Sequence, residues 1–297
     1  MTHSKIHSKQ NIGLALGFAG VFMFGGTLPA TRLAVASIDP LFLSAARAAI
    51  AGCAGLGLLL LLRRRPPPRE LWGRLFLAGL CTIIGFPVLM ALAMVSVPAA
   101  HGGVVLGVMP LATVAAATVV IGERPSLGFW LASLAGAAIV LVFVMGHGEA
   151  QTLGVGDLFL IGTVVAGGFG YALSGRLSLA MPGWEVISWQ VAAFLPLSAI
   201  ASLWLWPANL GDVPWPGWAG LVYVSFVSQF SAFFVFNAAM ALSGVARAGQ
   251  LMLLQPFVIV ALAAPVNGER IELTTLAYAA AVVATVVVGQ RMRVMRG

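Results

Sequence analysis

The sequence predicts an all-α integral membrane protein with ten transmembrane helices, folded as two inverted five-helix repeats with both termini in the cytoplasm. Three observations carry that prediction. Of the 297 residues, 60% are hydrophobic and 8% charged, with a mean hydropathy of +1.01, which is more apolar surface than one water-soluble core can hide. Apolar runs of about 20 residues, the length that crosses the hydrocarbon layer of a bilayer, recur along the chain with short breaks. The stretch "PLATVAAATVVIGER", Pro110 to Arg124, returns as "PFVIVALAAPVNGER", Pro256 to Arg270.

Taken in order, the predicted spans run 11–33, 40–62, 72–95, 99–121 and 126–146, then 154–175, 185–206, 217–241, 246–266 and 273–290. Barrel strands would alternate over segments of about ten residues, and nothing alternates over such lengths. The first span follows "MTHSKIHSKQ" and resembles a secretory signal, but its apolar run exceeds the roughly 7 to 15 residues of a signal core. It reads as a retained helix. Cys53 and Cys81 fall inside spans, where a thiol usually acts as a small buried apolar group, so no disulfide framework is implied. Trp72, Trp130, Trp184, Trp204, Trp206, Trp215 and Trp218 fall near span ends, where aromatic belts form.

The net charge of +7 does not point to nucleic acid, because of where it sits. Lys5, Lys9, Arg63, Arg64, Arg65, Arg69, Arg74, Arg124, Arg176, Arg247, Arg291, Arg293 and Arg296 all fall on one side of a ten-helix arrangement. Arg270 alone falls in a loop on the other side, while Arg32 and Arg47 lie within spans. This asymmetry is the positive-inside signal and places both termini in the cytoplasm. The loop "RRRPPPRE" reads as a topology-setting segment or as a contact for lipid headgroups.

A shift of 146 residues aligns Trp72 with Trp218, Leu75 with Leu221, Met94 with Met240, Gly103 with Gly249, Pro110 with Pro256, and Gly122-Glu123-Arg124 with Gly268-Glu269-Arg270. Between Ala99 and Arg124, ten of 26 positions match. Before Trp72 a shift of 143 or 144 serves better, pairing Arg32 with Arg176 and Arg47 with Gln190. The chain divides into units 1–147 and 148–297. Five helices per unit is an odd number, so the second unit enters the membrane from the opposite side, and such inverted repeats suit a site opened alternately to either face.

These residues carry a resemblance. A ten-helix chain with "GER" after a proline-interrupted helix in each half, Arg32 near the end of the first helix, and "DPLFLSAAR" opening the second is similar to the EamA family of the drug/metabolite transporter superfamily. The resemblance covers essentially the whole chain. It implies a bacterial inner-membrane exporter of amino acids or related metabolites, with a cavity between helices 1 to 4 and 6 to 9 and with helices 5 and 10 peripheral. The family scaffold also carries drugs, cations and lipid-linked sugars.

Several side chains are candidates for the path. In "SFVSQFSAFFVFNAAM", Gln229, Phe233 and Asn237 recur every four residues on one helical stripe, with Phe230 and Phe234 beside it. Amides with aromatic rings suit an amphiphilic organic solute; alternatively the amides bond neighbouring helices and the rings face lipid. Gln250, Gln255 and Tyr171 are further candidate liners, and Met90, Met94, Met109 and Met252 offer adaptable surface or fill gaps. Arg47 lies seven residues beyond Pro40, about 10 Å into its helix. It snorkels, caps carbonyls, or attracts a substrate carboxylate. Pro110 and Pro256, each near mid-span, read as cavity-lining kinks or hinges, or as kinks that neighbours tolerate.

His101, Glu123 and Glu269 are the candidates for proton coupling. For the glutamates the competing reading is structural, a carboxylate near a helix start paired with its adjacent arginine. For His101 it is a terminal hydrogen bond. Gly13 with Gly17, and Gly103 with Gly107, permit close helix contact. There is no Walker loop, no "HExxH" and no cysteine–histidine cluster, so no metal, cofactor or catalytic residue is assigned. No acidic residue sits at the centre of a span, which favours facilitated movement of solute over proton coupling. A membrane enzyme acting on lipid would need clustered Asp, His or Cys at a membrane face, and none is present. The expected partners are a small-molecule solute and membrane lipid, with no nucleic acid; monomer and homodimer stay equally open.

Overall fold

The computed structural model describes residues 3–120, 122, 124–147, 154–243, 251–291 and 294–295. These form helices α1 (His3–Gly25), α2 (Thr27–Val35), α3 (Pro40–Leu61), α4 (Arg69–Gly79), α5 (Phe86–Ser96), α6 (Ala99–Leu106), α7 (Met109–Val120) and α8 (Leu127–His147) in the first half. The second half contributes α9 (Val155–Leu177), α10 (Gly183–Trp204), α11 (Trp215–Val222), α12 (Ala232–Ser243), α13 (Gln255–Asn267) and α14 (Leu273–Arg291). The β structure among the described residues is a two-residue antiparallel pairing of Arg124–Pro125 with Val294–Met295. The fold is all-helical, as the composition predicts.

Local sequence explains where helices start and stop. Asp39 accepts the Leu41 and Phe42 amide protons at 2.9 Å, and Pro40 follows it in the first turn, a strong start for α3. The duplicated Gly122 and Gly268 have φ of +78° and +69°, and Gly268 is the left-handed residue that closes α13. A side chain is disfavoured there, so the glycine of each Gly-Glu-Arg has a conformational cause.

Several of the predicted spans are interrupted. α1 and α2 meet at Gly26, where a Cβ would strike the Tyr223 ring; the Tyr223 hydroxyl donates to the Met23 carbonyl at 2.9 Å. A π-helical segment, Leu80–Gly85, separates α4 from α5, and another, Tyr223–Ser231, separates α11 from α12. The 146-residue shift maps 80–85 onto 226–231, so the same widened turn recurs in both halves. The predicted span 217–241 thus contains a π-helical segment where a regular α-helix was expected.

Six helices, counting Asn11–Val35, Arg69–Ser96 and Trp215–Phe236 as single runs, are long and apolar enough to cross a membrane. α6 and α7 make a seventh candidate, bent by 44°. Three shorter apolar helices are Leu127–Phe143, Met252–Asn267 and Leu273–Gly289. Large apolar side chains such as Leu134, Val119, Ile200 and Leu203 lie exposed on the outside, as lipid contact requires.

The halves interlock. α3 packs on α10, α6 on α13, and α8 on α14; α1 packs on α12 and α2 on α11, while α5 and α4 pack on α9. Exchanging the halves leaves this set of partners unchanged. Small residues allow the close approaches: a Cβ on Gly55 of α3 would enter the Val191 side chain of α10, and one on Gly103 of α6 would lie 2.7 Å from Ile259 Cγ2 of α13.

Candidate functional site

Breaks in the helices of both halves surround a cavity of about 380 Å³. From the first half it receives Phe24, Thr82, Phe86, Leu106, Met109 and Pro110. From the second it receives Tyr171, Gln190, Phe233, Phe236, Gln255 and Pro256. Phe24 meets Phe233 edge-on, with ring centroids 5.0 Å apart, so the aromatic wall is itself a contact between halves. Gly175 and Ser178, both exposed, line it on the stretch where α9 passes into α10, and this is taken as its mouth.

The prolines shape this space differently from the mid-helix kinks expected. Pro110 is the second residue of α7 and Pro256 the second residue of α13, each just after a break. Proline is tolerated at such a position because the first-turn amide has no intrahelical partner. The break before Pro110 is the turn at Gly107 and Val108; the break before Pro256 is a 3-10 turn, Met252–Leu254. The two breaks occupy equivalent places in the two halves.

A recess of about 40 Å³ leads off the cavity, sharing Tyr171, Phe233 and Gln255 with it and adding Thr27, Arg47, Ser228 and Gln229. Arg47 is buried, with 3% exposure. Its Nη2 donates to Gln229 Oε1 at 2.6 Å, and its Nε has no hydrogen-bond partner. The hydroxyls of Thr27 and Ser228, from opposite halves, lie 2.7 Å apart beside it. The counterpart in the other half is neutral: Gln190, which the repeat pairs with Arg47, accepts from the Thr82 hydroxyl at 3.3 Å and donates to Ser174 Oγ at 2.9 Å. Both π segments therefore supply a hydroxyl, Thr82 and Ser228, at equivalent positions.

At the end of the bundle away from Gly175 and Ser178, helix ends are joined by polar contacts. Glu269 accepts the Ala99 and Ala100 amide protons at 2.7 and 2.9 Å and lies 3.3 Å from Arg32 Nε. Arg32 Nη1 donates to the carbonyls of Met94 and Val97 at the end of α5. Arg32 thus binds the negative end of one helix while Glu269 caps the positive end of the next. His101 Nε2 lies 3.0 Å from Asp157 Oδ1, both buried, and Asp157 Oδ2 accepts the Gly154 amide proton at 3.0 Å. Asn267 Nδ2 donates to the Pro29 carbonyl at 3.0 Å.

Of the candidate liners, the structure brings together Gln229, Phe233, Tyr171, Met109, Gln255, Arg47, Pro110 and Pro256 around the cavity and its recess. Phe230 is corrected: it packs on Phe234 at 4.8 Å and lines neither space. Met90 is also corrected, lying fully buried in the core with α9 packed over its helix. Gln250, Glu123 and the side chain of Asn237 fall outside the described residues. The partner of Glu269 is Arg32 and the α6 amides, while neighbouring Arg270 is exposed. Asp157, Phe24, Phe236 and Thr82 were not legible as site residues; their only sequence signal is that Thr82 falls opposite Ser228 in the repeat.

The EamA-like transporter family matches this chain twice, over residues 11–145 and 154–288. The uncharacterized transporter YdeK of Bacillus subtilis (strain 168) is 38% identical over 284 residues, covering 96% of this chain and 99% of YdeK. A solved crystal structure with 21% identity, covering 95% of this chain and 99% of that one, superposes with a TM-score of 0.63, a likeness of fold. The chain is a multi-pass membrane protein belonging to the EamA-like transporter family.

Proposed function

We propose that this protein exports amino acids or related small metabolites across the bacterial inner membrane by alternating access. The chain crosses the bilayer ten times, as two inverted units, 1–147 and 148–297, with both termini in the cytoplasm. The count is supported by six long apolar helices, one bent pair and three shorter apolar helices. The inversion is supported by the partner pattern that survives exchange of the halves and by the recurrence of each helix break.

One observation carries the reading: a cavity lined by residues of both halves has exposed Gly175 and Ser178 on its rim at one end, while polar contacts between helix ends, Arg32 with Glu269 and His101 with Asp157, join the opposite end of the bundle. That is the form of a carrier with one gate closed. The mouth lies at the arginine-rich end, where Arg64 sits 3.4 Å from Glu185 and over the Trp184 ring. By the positive-inside rule this is the cytoplasmic end. No carboxylate lines the cavity among the described residues, which favours movement of solute down its own gradient without a proton relay.

The test is flux of labelled aromatic, aliphatic and hydroxyl amino acids, with cations and sugars as comparators, into proteoliposomes with and without a pH gradient. Amino-acid flux indifferent to the gradient is the expected result. Accumulation driven by the gradient would overturn the uncoupled mechanism, and flux confined to cations or sugars would overturn the substrate class.

A further inference from the structure

The charge of Arg47 is not accounted for by the protein around it. Its one hydrogen bond goes to a neutral amide oxygen, on Gln229, and its Nε is buried without a partner. The lining of the cavity and of the recess includes no Asp and no Glu among the described residues, and Arg47 is the one cation in either lining. A guanidinium taken out of water without a counter-charge is among the most unfavourable arrangements in a membrane-spanning bundle, tolerated where it faces a functional space.

Size separates the two parts of that space. A recess of about 40 Å³ holds one small polar group, on the scale of a water or a carboxylate. The adjoining 380 Å³ chamber, walled by Phe24, Phe86, Leu106, Phe233 and Phe236, has the volume and character for an apolar body. The recess adds donors fit for an anion: the guanidinium, and the Thr27 and Ser228 hydroxyls in contact with each other. Among the described residues, neither lining offers a negative charge to an ammonium group. One guanidinium in so small a recess matches a monoanion better than a phosphate dianion.

We propose that the recess at Arg47 is a carboxylate subsite, and that the cavity selects monocarboxylates with an aromatic or branched apolar body, whether or not they carry an α-ammonium group. The proposal rests on the transporter reading, within which it names the substrate class and the residue that selects it.

Two measurements separate this proposal from that reading. In the first, the purified full-length protein is melted in detergent with 3-phenylpropionate, 4-methylpentanoate, phenylalanine or phenethylamine. The three carboxylates are expected to raise the melting temperature and the amine to leave it unchanged. Arg47→Gln should weaken carboxylate binding by about tenfold to a hundredfold, the usual worth of hydrogen bonds to a charged group. It should also leave the ligand-free protein as stable as before or more so, because an unpaired buried charge has been removed. A merely structural Arg47 predicts the opposite, a less stable Arg47→Gln protein with unchanged ligand effects. Arg47→Lys restores charge without the planar donor fork and should recover only part of the binding.

In the second, counterflow of labelled phenylalanine is measured in proteoliposomes against the same four compounds. Stabilisation by phenethylamine equal to that by the acids, or no stabilisation by any carboxylate, overturns the subsite. Carboxylate binding that depends on Arg47 but is accompanied by no flux of any solute leaves the subsite standing and overturns the transporter reading instead.

Discussion

At the end of the bundle where α2, α5, α6 and α13 meet, Arg32 and Glu269 join the terminus of one helix to the start of another, and Thr31 beside them is fully buried. At the opposite end, where α9 turns into α10, Ser178 and Gly175 are exposed on the rim of the cavity, and the ion pair found there, Arg64 with Glu185, lies 3.4 Å apart with Arg64 about half exposed. α9 belongs to both ends: Asp157 in its first turn pairs with His101, and Ser174 near its last turn lines the cavity. The closed end is held by charge meeting helix termini, contacts that water can replace. An apolar plug would be harder to open, so the chemistry of this seal suits a gate better than a core.

If the closed end is a gate, Glu269→Ala should produce the largest change. It removes two charge-assisted caps on α6 and the ion pair with Arg32 together. Loss of a helix cap costs about 1 to 2 kcal/mol, roughly five- to thirtyfold in an equilibrium. The readout is maleimide labelling of Thr31→Cys in a background carrying Cys53→Ala and Cys81→Ala. Labelling should accelerate by about tenfold or more on that estimate; an unchanged rate would mean that packing alone keeps this end shut.

Asp157→Asn should do less. The amide oxygen can still accept the Gly154 amide proton, and the side chain can still bond His101, so what is lost is charge alone. Thr31→Cys labelling should change by no more than about threefold, on the scale of a charge-assisted bond becoming a neutral one. Transport should keep its indifference to a pH gradient. Loss of a gradient-driven component in this variant would instead place proton coupling on the His101–Asp157 pair.

How much of this could be read from the sequence depends on the range of the interaction. Gly122 and Gly268 were legible as a duplicated motif, and the structure supplies the cause, a positive φ that few residue types can meet. The break at Pro110 and Pro256 was legible in position, since proline acts on its own turn, but not in form: each proline begins a helix instead of bending one. Gln229 and Phe233, read on one stripe, both line the recess, whereas Phe230, read as flanking that stripe, packs on Phe234 instead. The π segment through Ser231 changes the number of residues per turn, and a reading at 3.6 residues per turn has no access to that. Arg32 with Glu269, and His101 with Asp157, were illegible as pairs, because which helix ends meet is decided by packing between the halves. Met90 failed for the same reason, covered by α9 from the other half.

The duplicated Gly-Glu-Arg supplies the smallest predicted effect and the sharpest control. Glu269 and Arg270 are neighbours in a motif present twice, so sequence gives them equal weight. The fold does not: Glu269 turns inward to α6 and Arg32, while Arg270 lies exposed. An exposed side chain away from caps and buried contacts usually changes stability by no more than about 0.5 kcal/mol when removed. Arg270→Ala should therefore leave Thr31→Cys labelling within about twofold of its parent on that figure, with melting temperature and flux unchanged. If Arg270→Ala opened this end as far as Glu269→Ala does, the seal would lie in the loop's charge as a whole. The contrast between the two ends would then be one of surface potential, not of helix termini joined by a single partly buried carboxylate.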